Sequence, residues 1–153
     1  MIADTSLPLR GACECGACSF ELHTLPKARF RCHCLICQIF NDKPFADVVA
    51  ARAKDVVLKN AGNISFKKYR LPPNFNRGVC RTCGKPIVEV AGFGPFKVMF
   101  IPASNFELVA QLPPVRLDIF YHRRVQDMPG SLPKYRGYYA SLLAVGKLIT
   151  GGL

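Results

Sequence analysis

The chain has 153 residues, with 21 Lys and Arg against 10 Asp and Glu, for a formal net charge of +11. Half of the residues are hydrophobic and a fifth are charged, which excludes a mainly disordered chain and suits one domain, 1–153, with a real core. The 12 Gly and 12 Pro force frequent turns, which excludes a simple helical bundle.

In chain order, period-two alternation comes first at Cys18, Phe20 and Leu22, which share one face of a predicted strand. Residues 34–40 read as a short turn of helix. A mostly buried strand is expected over 45–51 and a short one over 64–69. Residues 86–90 and 97–101 are apolar and β-prone. A helical turn is expected over 103–106, and 115–121 alternates again. Pro72-Pro73, residues 92–95, Pro113-Pro114 and Pro129-Gly130 separate these runs. This is the punctuation of a mainly β, antiparallel, loop-rich fold with few short helices. The best helix candidate is C-terminal, 138–149, with Leu142, Leu143, Val145 and Leu148, stopped by Gly151-Gly152.

That tail is broken by Lys147 and is shorter than the roughly 20 residues a membrane span needs. Residues 1–15 have no basic start followed by a long apolar run, so no secretory leader is expected and the cytoplasm is the default compartment. The positive charge suits nucleic acid, an anionic membrane, an anionic small substrate or plain solvated surface. Its only tight doublets are Lys67-Lys68 and Arg123-Arg124, unlike a basic tail.

Eight cysteines fall in three groups: Cys13, Cys15 and Cys18; Cys32, Cys34 and Cys37; Cys80 and Cys83. Where thiols stay reduced, such clusters point to metal more than to disulfides. Two thiolates at C-x-C or C-x-x-C spacing reach one ion at about 2.3 Å, and a tetrahedral zinc takes two such pairs. Gly84 after Cys83 lets the backbone turn so that amides face the sulfurs. The first two groups share the pattern C-x-C-x-x-C, so spacing lets either complete the Cys80–Cys83 knuckle. One allocation joins Cys13, Cys15, Cys80 and Cys83 in a closed site. It leaves Cys32, Cys34 and Cys37 with an open fourth position, as in catalytic zinc. The other has both sites closed, with a histidine or Cys18 as the eighth ligand. Cys18 shares the apolar face of Phe20 and Leu22 and reads better as a small hydrophobe. His33, between two ligands, is expected to point away from the ion, either toward substrate or as exposed filler. His23 and His122 read as ordinary surface or half-buried residues.

These residues resemble the glutathione-dependent formaldehyde-activating enzyme family, which includes centromere protein V. The likeness rests on Gly11-Ala12-Cys13-Glu14-Cys15-Gly16 before an alternating strand, and on Cys32-His33-Cys34-Leu35-Ile36-Cys37 with Pro44-Phe45 downstream. It ends with Cys80-Arg81-Thr82-Cys83-Gly84-Lys85-Pro86-Ile87, so the motifs span about 10–90. The resemblance implies a β-tent of several coiled antiparallel sheets. It implies two zinc ions per chain, a structural one on Cys13, Cys15, Cys80 and Cys83 and a more labile, catalytic one on Cys32, Cys34 and Cys37. The implied reaction adds glutathione to formaldehyde, giving S-hydroxymethylglutathione, and is classed in reverse as a carbon–sulfur lyase. Glutathione is anionic, so Lys43 beside the second motif is expected to bind it, with Phe45 also in the pocket. The chain departs from the family pattern at Gln38 and Ile39, where basic residues are frequent, at Asp42, where Gly is usual, and at Val79, where an aromatic is common.

The leading expectation is a zinc-dependent carbon–sulfur lyase acting on glutathione and formaldehyde or a related thiol adduct. The alternative is a non-catalytic zinc module that binds nucleic acid or protein, and a third reading uses the C-x-x-C pairs as redox dithiols. Seven ligating thiolates at −1 and two zinc ions at +2 lower the +11 by three, to +8. That field suits an anionic small molecule better than a nucleic-acid footprint.

Overall fold

The computed structural model describes residues 6–26, 28–68 and 75–151. Its strands are Leu9–Ala12 (β1), Ser19–Leu22 (β2), Ala28–Cys32 (β3), Ala46–Arg52 (β4), Val56–Lys59 (β5), Ile64–Lys67 (β6), Phe75–Cys80 (β7), Pro86–Ala91 (β8), Val98–Pro102 (β9) and Asp118–Ile119 (β10). Two α-helices, Leu35–Asn41 (α1) and Tyr138–Ile149 (α2), and several 3₁₀ turns complete the described chain. A three-stranded sheet has the order β1-β2-β5, and a seven-stranded sheet the order β10-β3-β4-β9-β8-β7-β6. The fold is therefore mainly β, as the alternation predicts. Among the described strands one pairing departs from the antiparallel rule: β10 runs parallel to β3, with Asp118 opposite Arg31, and an isolated bridge from Asp118 to Lys134 is parallel too.

Four strands went unread in the sequence: β1, β3, β5 and β7. The alternation of β3, with Ala28, Phe30 and Cys32 buried between Arg29 and Arg31, is legible but short. The run over 115–121 shrinks to the two residues of β10 because Phe120 adopts a left-handed conformation (φ 52°) and a 3₁₀ turn over Tyr121–Arg123 follows. Pro72-Pro73, Tyr69, Gly152 and the first five residues of the leader reading lie outside the described residues.

The large sheet is covered on both faces, which explains why β4 reads as continuously apolar. Alternate residues of β4 enter different cores. Val49 and Ala51 pack with Phe20, Leu22 and Ile101 on the side of the small sheet. Ala46, Val48 and Ala50 pack with Phe30, Phe100 and the α2 residues Ala144, Val145 and Leu148 on the other. A bulge between Gly78 and Val79 shifts the β7–β8 register. Consecutive Ile87 and Val88 thereby both enter the first core. The C-terminal helix packs on the body of the protein through Ser141, Ala144, Val145 and Leu148. It is tied there by the Phe120 amide, which donates to Ser141 Oγ at 2.9 Å.

Candidate metal centres

The Sγ atoms of Cys13, Cys15, Cys80 and Cys83 all lie within 4.8 Å of one another. Cys13 and Cys15 are on the turn between β1 and β2. Cys80 ends β7, and Cys83 is in the turn before β8. Four sulfurs at about 2.3 Å from a tetrahedral zinc stand about 3.8 Å apart. The Cys13–Cys15 and Cys15–Cys80 separations are 3.6 and 3.8 Å. The donor set and its spacing fit such an ion.

Both turns aim backbone donors at sulfur. The Cys18 amide donates to Cys13 Sγ at 3.4 Å and the Ala17 amide to Cys15 Sγ at 3.5 Å. Gly16 (φ 81°) takes the left-handed turn just before these amides, and Gly84 (φ 72°) takes another after Cys83, its own amide donating to the Cys80 carbonyl at 2.8 Å. The amides of Cys83 and Thr82 outweigh burial and draw the Cys80 thiol down to about 6. Cys18 lies outside both sulfur groups. It is fully buried in the first core and exchanges weak hydrogen bonds with Asn63.

Cys32, Cys34 and Cys37 form a second group, again within 4.8 Å, in the other core. Cys32 ends β3. Cys34 caps α1, accepting the Cys37 amide at 3.3 Å, and Cys37 follows one turn later. Hydrogen bonds from the Cys32 and Cys37 thiols pull Cys34 down to about 3, while those of Cys32 and Cys37 are pushed well above the usual thiol range. The three sulfurs thus hold one thiolate readily and share its charge, the preparation a cation site requires. Asp42 ends α1 at φ 50°, its N–H reaching Gln38 O and Ile39 O, a left-handed cap of the kind glycine most often fills.

This second group lines a cavity of about 510 Å³. Its other walls are Phe30, Ala46, Val48, Phe75, Phe100 and Ile119 from the sheet, Phe120 just after β10, Leu35 and Ile36 from α1, and Tyr138, Leu142 and Val145 from α2. Arg77 and Glu89, paired at 3.8 Å, and the exposed His122 and Arg123 supply its other polar groups. Burial pushes the Glu89 carboxyl up to about 7 against the pull of Arg77.

A family model described as glutathione-dependent formaldehyde-activating enzyme matches residues 8–123. The chain belongs to this family. Membership ties it to glutathione- and formaldehyde-related chemistry. Among solved structures, the crystal structure of a Rhodobacter sphaeroides protein from structural genomics is 20% identical, with a TM-score of 0.55 over 82% of this chain and 99% of that chain. At that identity the likeness is one of fold. No curated protein matches the chain. The family match stops at residue 123, so α2 lies beyond it.

Two expected substrate contacts sit elsewhere: exposed Lys43 and half-buried Phe45 are not among the cavity-lining residues. Phe45 instead stands 5.3 Å from the His33 ring and 5.8 Å from the Arg31 guanidinium, centroid distances in both cases. His33 does point away from the sulfurs, but it is not exposed filler. It is 1% exposed, and its Nε2–H donates to Asp118 Oδ1 at 2.8 Å. Arg31 closes the same carboxylate from the other side through Nε (2.7 Å) and Nη2 (2.9 Å). The flanks of Cys32 are thereby locked to β10. Gln38 binds the carbonyls of His33 (2.8 Å) and Arg123 (2.9 Å), fixing α1 to the cavity rim. Arg77, Glu89 and the α2 wall were missed. The signal available was one acid, Glu89, inside the otherwise apolar run Ile87-Val88-Glu89-Val90.

Proposed function

We propose that the protein is a zinc-dependent carbon–sulfur lyase, cytoplasmic and built as a single domain with two zinc ions per chain. It joins or splits an adduct of a thiol and formaldehyde, in the manner of S-(hydroxymethyl)glutathione synthase. One observation carries the reading: the three-cysteine group lines the 510 Å³ cavity, and none of the four-cysteine group does. Four thiolates complete a tetrahedral ion, whereas three leave a position for a ligand that enters from the cavity. Zinc bound there would supply a Lewis acid and a place for a thiol to lose its proton.

In the joining direction the thiol sulfur bonds to the aldehyde carbon and the thiol proton ends on the carbonyl oxygen, so no oxidant or reductant is consumed. Three thiolates weaken the Lewis acidity of their ion. Much of the acceleration then comes from gathering the reactants in a walled cavity, which the rigid setting of Cys32 and Cys34 by the Arg31–Asp118–His33 cluster favours. Zinc-loaded protein is expected to speed exchange between free thiol and its formaldehyde adduct at least tenfold over the spontaneous rate, read by NMR with glutathione and with benzyl mercaptan. A Cys34→Ser variant as fast as the wild type would overturn the mechanism.

A further inference from the structure

The cavity beside Cys32, Cys34 and Cys37 is walled mostly by carbon. Phe30, Phe75 and Phe100 line one side, with Phe75 and Phe100 stacked at 5.4 Å, and α2 contributes Leu142 and Val145 on another. Its volume of about 510 Å³ falls within the roughly 300–1,000 Å³ of small-molecule sites. Glutathione brings two carboxylates and an ammonium, and each loses hydration on entry unless it meets a partner. Among the described residues the lining offers one buried cation, Arg77, with His122 and Arg123 exposed. The Arg77 guanidinium is buried, 3.8 Å from Glu89 and 4.5 Å from the centre of the Phe75 ring. Glu89 Oε1 is buried without a hydrogen-bond partner among the described residues, and the Glu89 carboxyl already faces the Arg77 guanidinium that an incoming carboxylate would seek. The three thiolates add negative charge. His122 and Arg123 lie exposed at the edge, and Lys43 is off the cavity.

We propose, resting on the thiol-adduct reading above, that this cavity takes the uncharged aromatic or branched-alkyl tail of a thiol whose sulfur meets the Cys32–Cys34–Cys37 group, and that α2, through Leu142 and Val145, selects this tail over glutathione. The helix lies beyond the family match. Leu142 lines the cavity and is 44% exposed, outside the buried set Ser141, Ala144, Val145 and Leu148 of α2, so a larger side chain there spares that packing.

The test uses protein loaded with cobalt(II), whose thiolate bands report a sulfur ligand, together with calorimetry for affinity. Benzyl mercaptan is expected to bind at least tenfold more tightly than glutathione. Leu142→Trp is expected to weaken benzyl mercaptan at least tenfold while circular dichroism stays unchanged. Glutathione binding as tightly as benzyl mercaptan, or Leu142→Trp leaving benzyl mercaptan unaffected, overturns the assignment and leaves the lyase reading intact. If neither thiol perturbs the cobalt bands, the lyase reading fails and toluene, the same tail without sulfur, decides the inference. Toluene binding that Leu142→Trp weakens tenfold supports the tail site, and absence of toluene binding overturns it.

Discussion

Asp118 accepts three hydrogen bonds on its two carboxylate oxygens, from Arg31 Nε, Arg31 Nη2 and His33 Nε2. It is fully buried. Burial alone would raise its pKa, but the hydrogen bonds from Arg31 and His33 prevail and hold it below the ordinary 3.8. The native state therefore binds fewer protons than the unfolded chain near pH 4. The stabilisation is present above that pH and is lost as pH falls through the native value. Asp118→Asn leaves a half-buried guanidinium and the buried His33 ring facing a neutral amide, at a cost of roughly 3 kcal/mol. Thermal unfolding across pH 2.5 to 7 is expected to place the variant well below wild type at neutrality, with the gap closing as the pH drops. A constant gap would show that the carboxylate's charge is immaterial. The alternation of Arg29 and Arg31 in β3 was visible in the sequence. The carboxylate that answers Arg31, 87 residues further on, was not.

At the scale of elements, the first metal centre depends on how tightly β1 approaches its neighbours. Gly11 pairs with Phe20 on β2 and bridges to Phe106. A Cβ at Gly11 would collide with the Asn105 carbonyl and the Phe20 ring. The carbonyl belongs to backbone and cannot swing aside. Gly11→Ala is therefore expected to cost about 2 kcal/mol in denaturant unfolding and to loosen the nearby Cys13 and Cys15. Metal analysis should then find the four-cysteine ion retained less well under mild chelation than in the wild type. Stability equal to wild type would mean that β1 shifts freely, contrary to its packing against Phe20 and Phe106. Asp42 marks the opposite case, a non-glycine residue in a left-handed cap (φ 50°) that the fold tolerates because Asp adopts this region more readily than branched residues.

For the whole molecule, the two cysteine groups lie in separate cores on opposite faces of the large sheet, so their ions are expected to leave separately. The three-cysteine group has one fewer thiolate and lines a cavity. The four-cysteine group joins the β1–β2 turn to the end of β7 and the turn that follows. A chelator titration followed by metal analysis and circular dichroism should release one ion per chain with the β signal intact. The second should leave only with loss of fold, since ligation there is coupled to folding. Simultaneous release, or an intact fold after both ions have gone, would contradict this division. Zinc content of the Cys34→Ser variant should fall to one per chain.

Chemistry carried by near neighbours in the chain was legible before folding. C-x-C and C-x-x-C spacing brings two sulfurs to one ion whatever the surroundings, and the apolar repeat over 138–149 predicts α2 to the residue. Period-two alternation likewise predicts a mainly β fold, because each short run needs only its own two faces. Pairings between distant segments depended on tertiary structure. Spacing could not decide whether Cys80 and Cys83 join Cys13 and Cys15 or the second group. The strands β1, β3, β5 and β7 are short or carry charge, and they are held by their neighbours rather than by their own propensity. The cavity exists only where sheet, α1 and α2 converge, joining Phe30 to Val145 across the length of the chain. No local pattern encodes that space, because its shape is the gap left after elements far apart in sequence have packed.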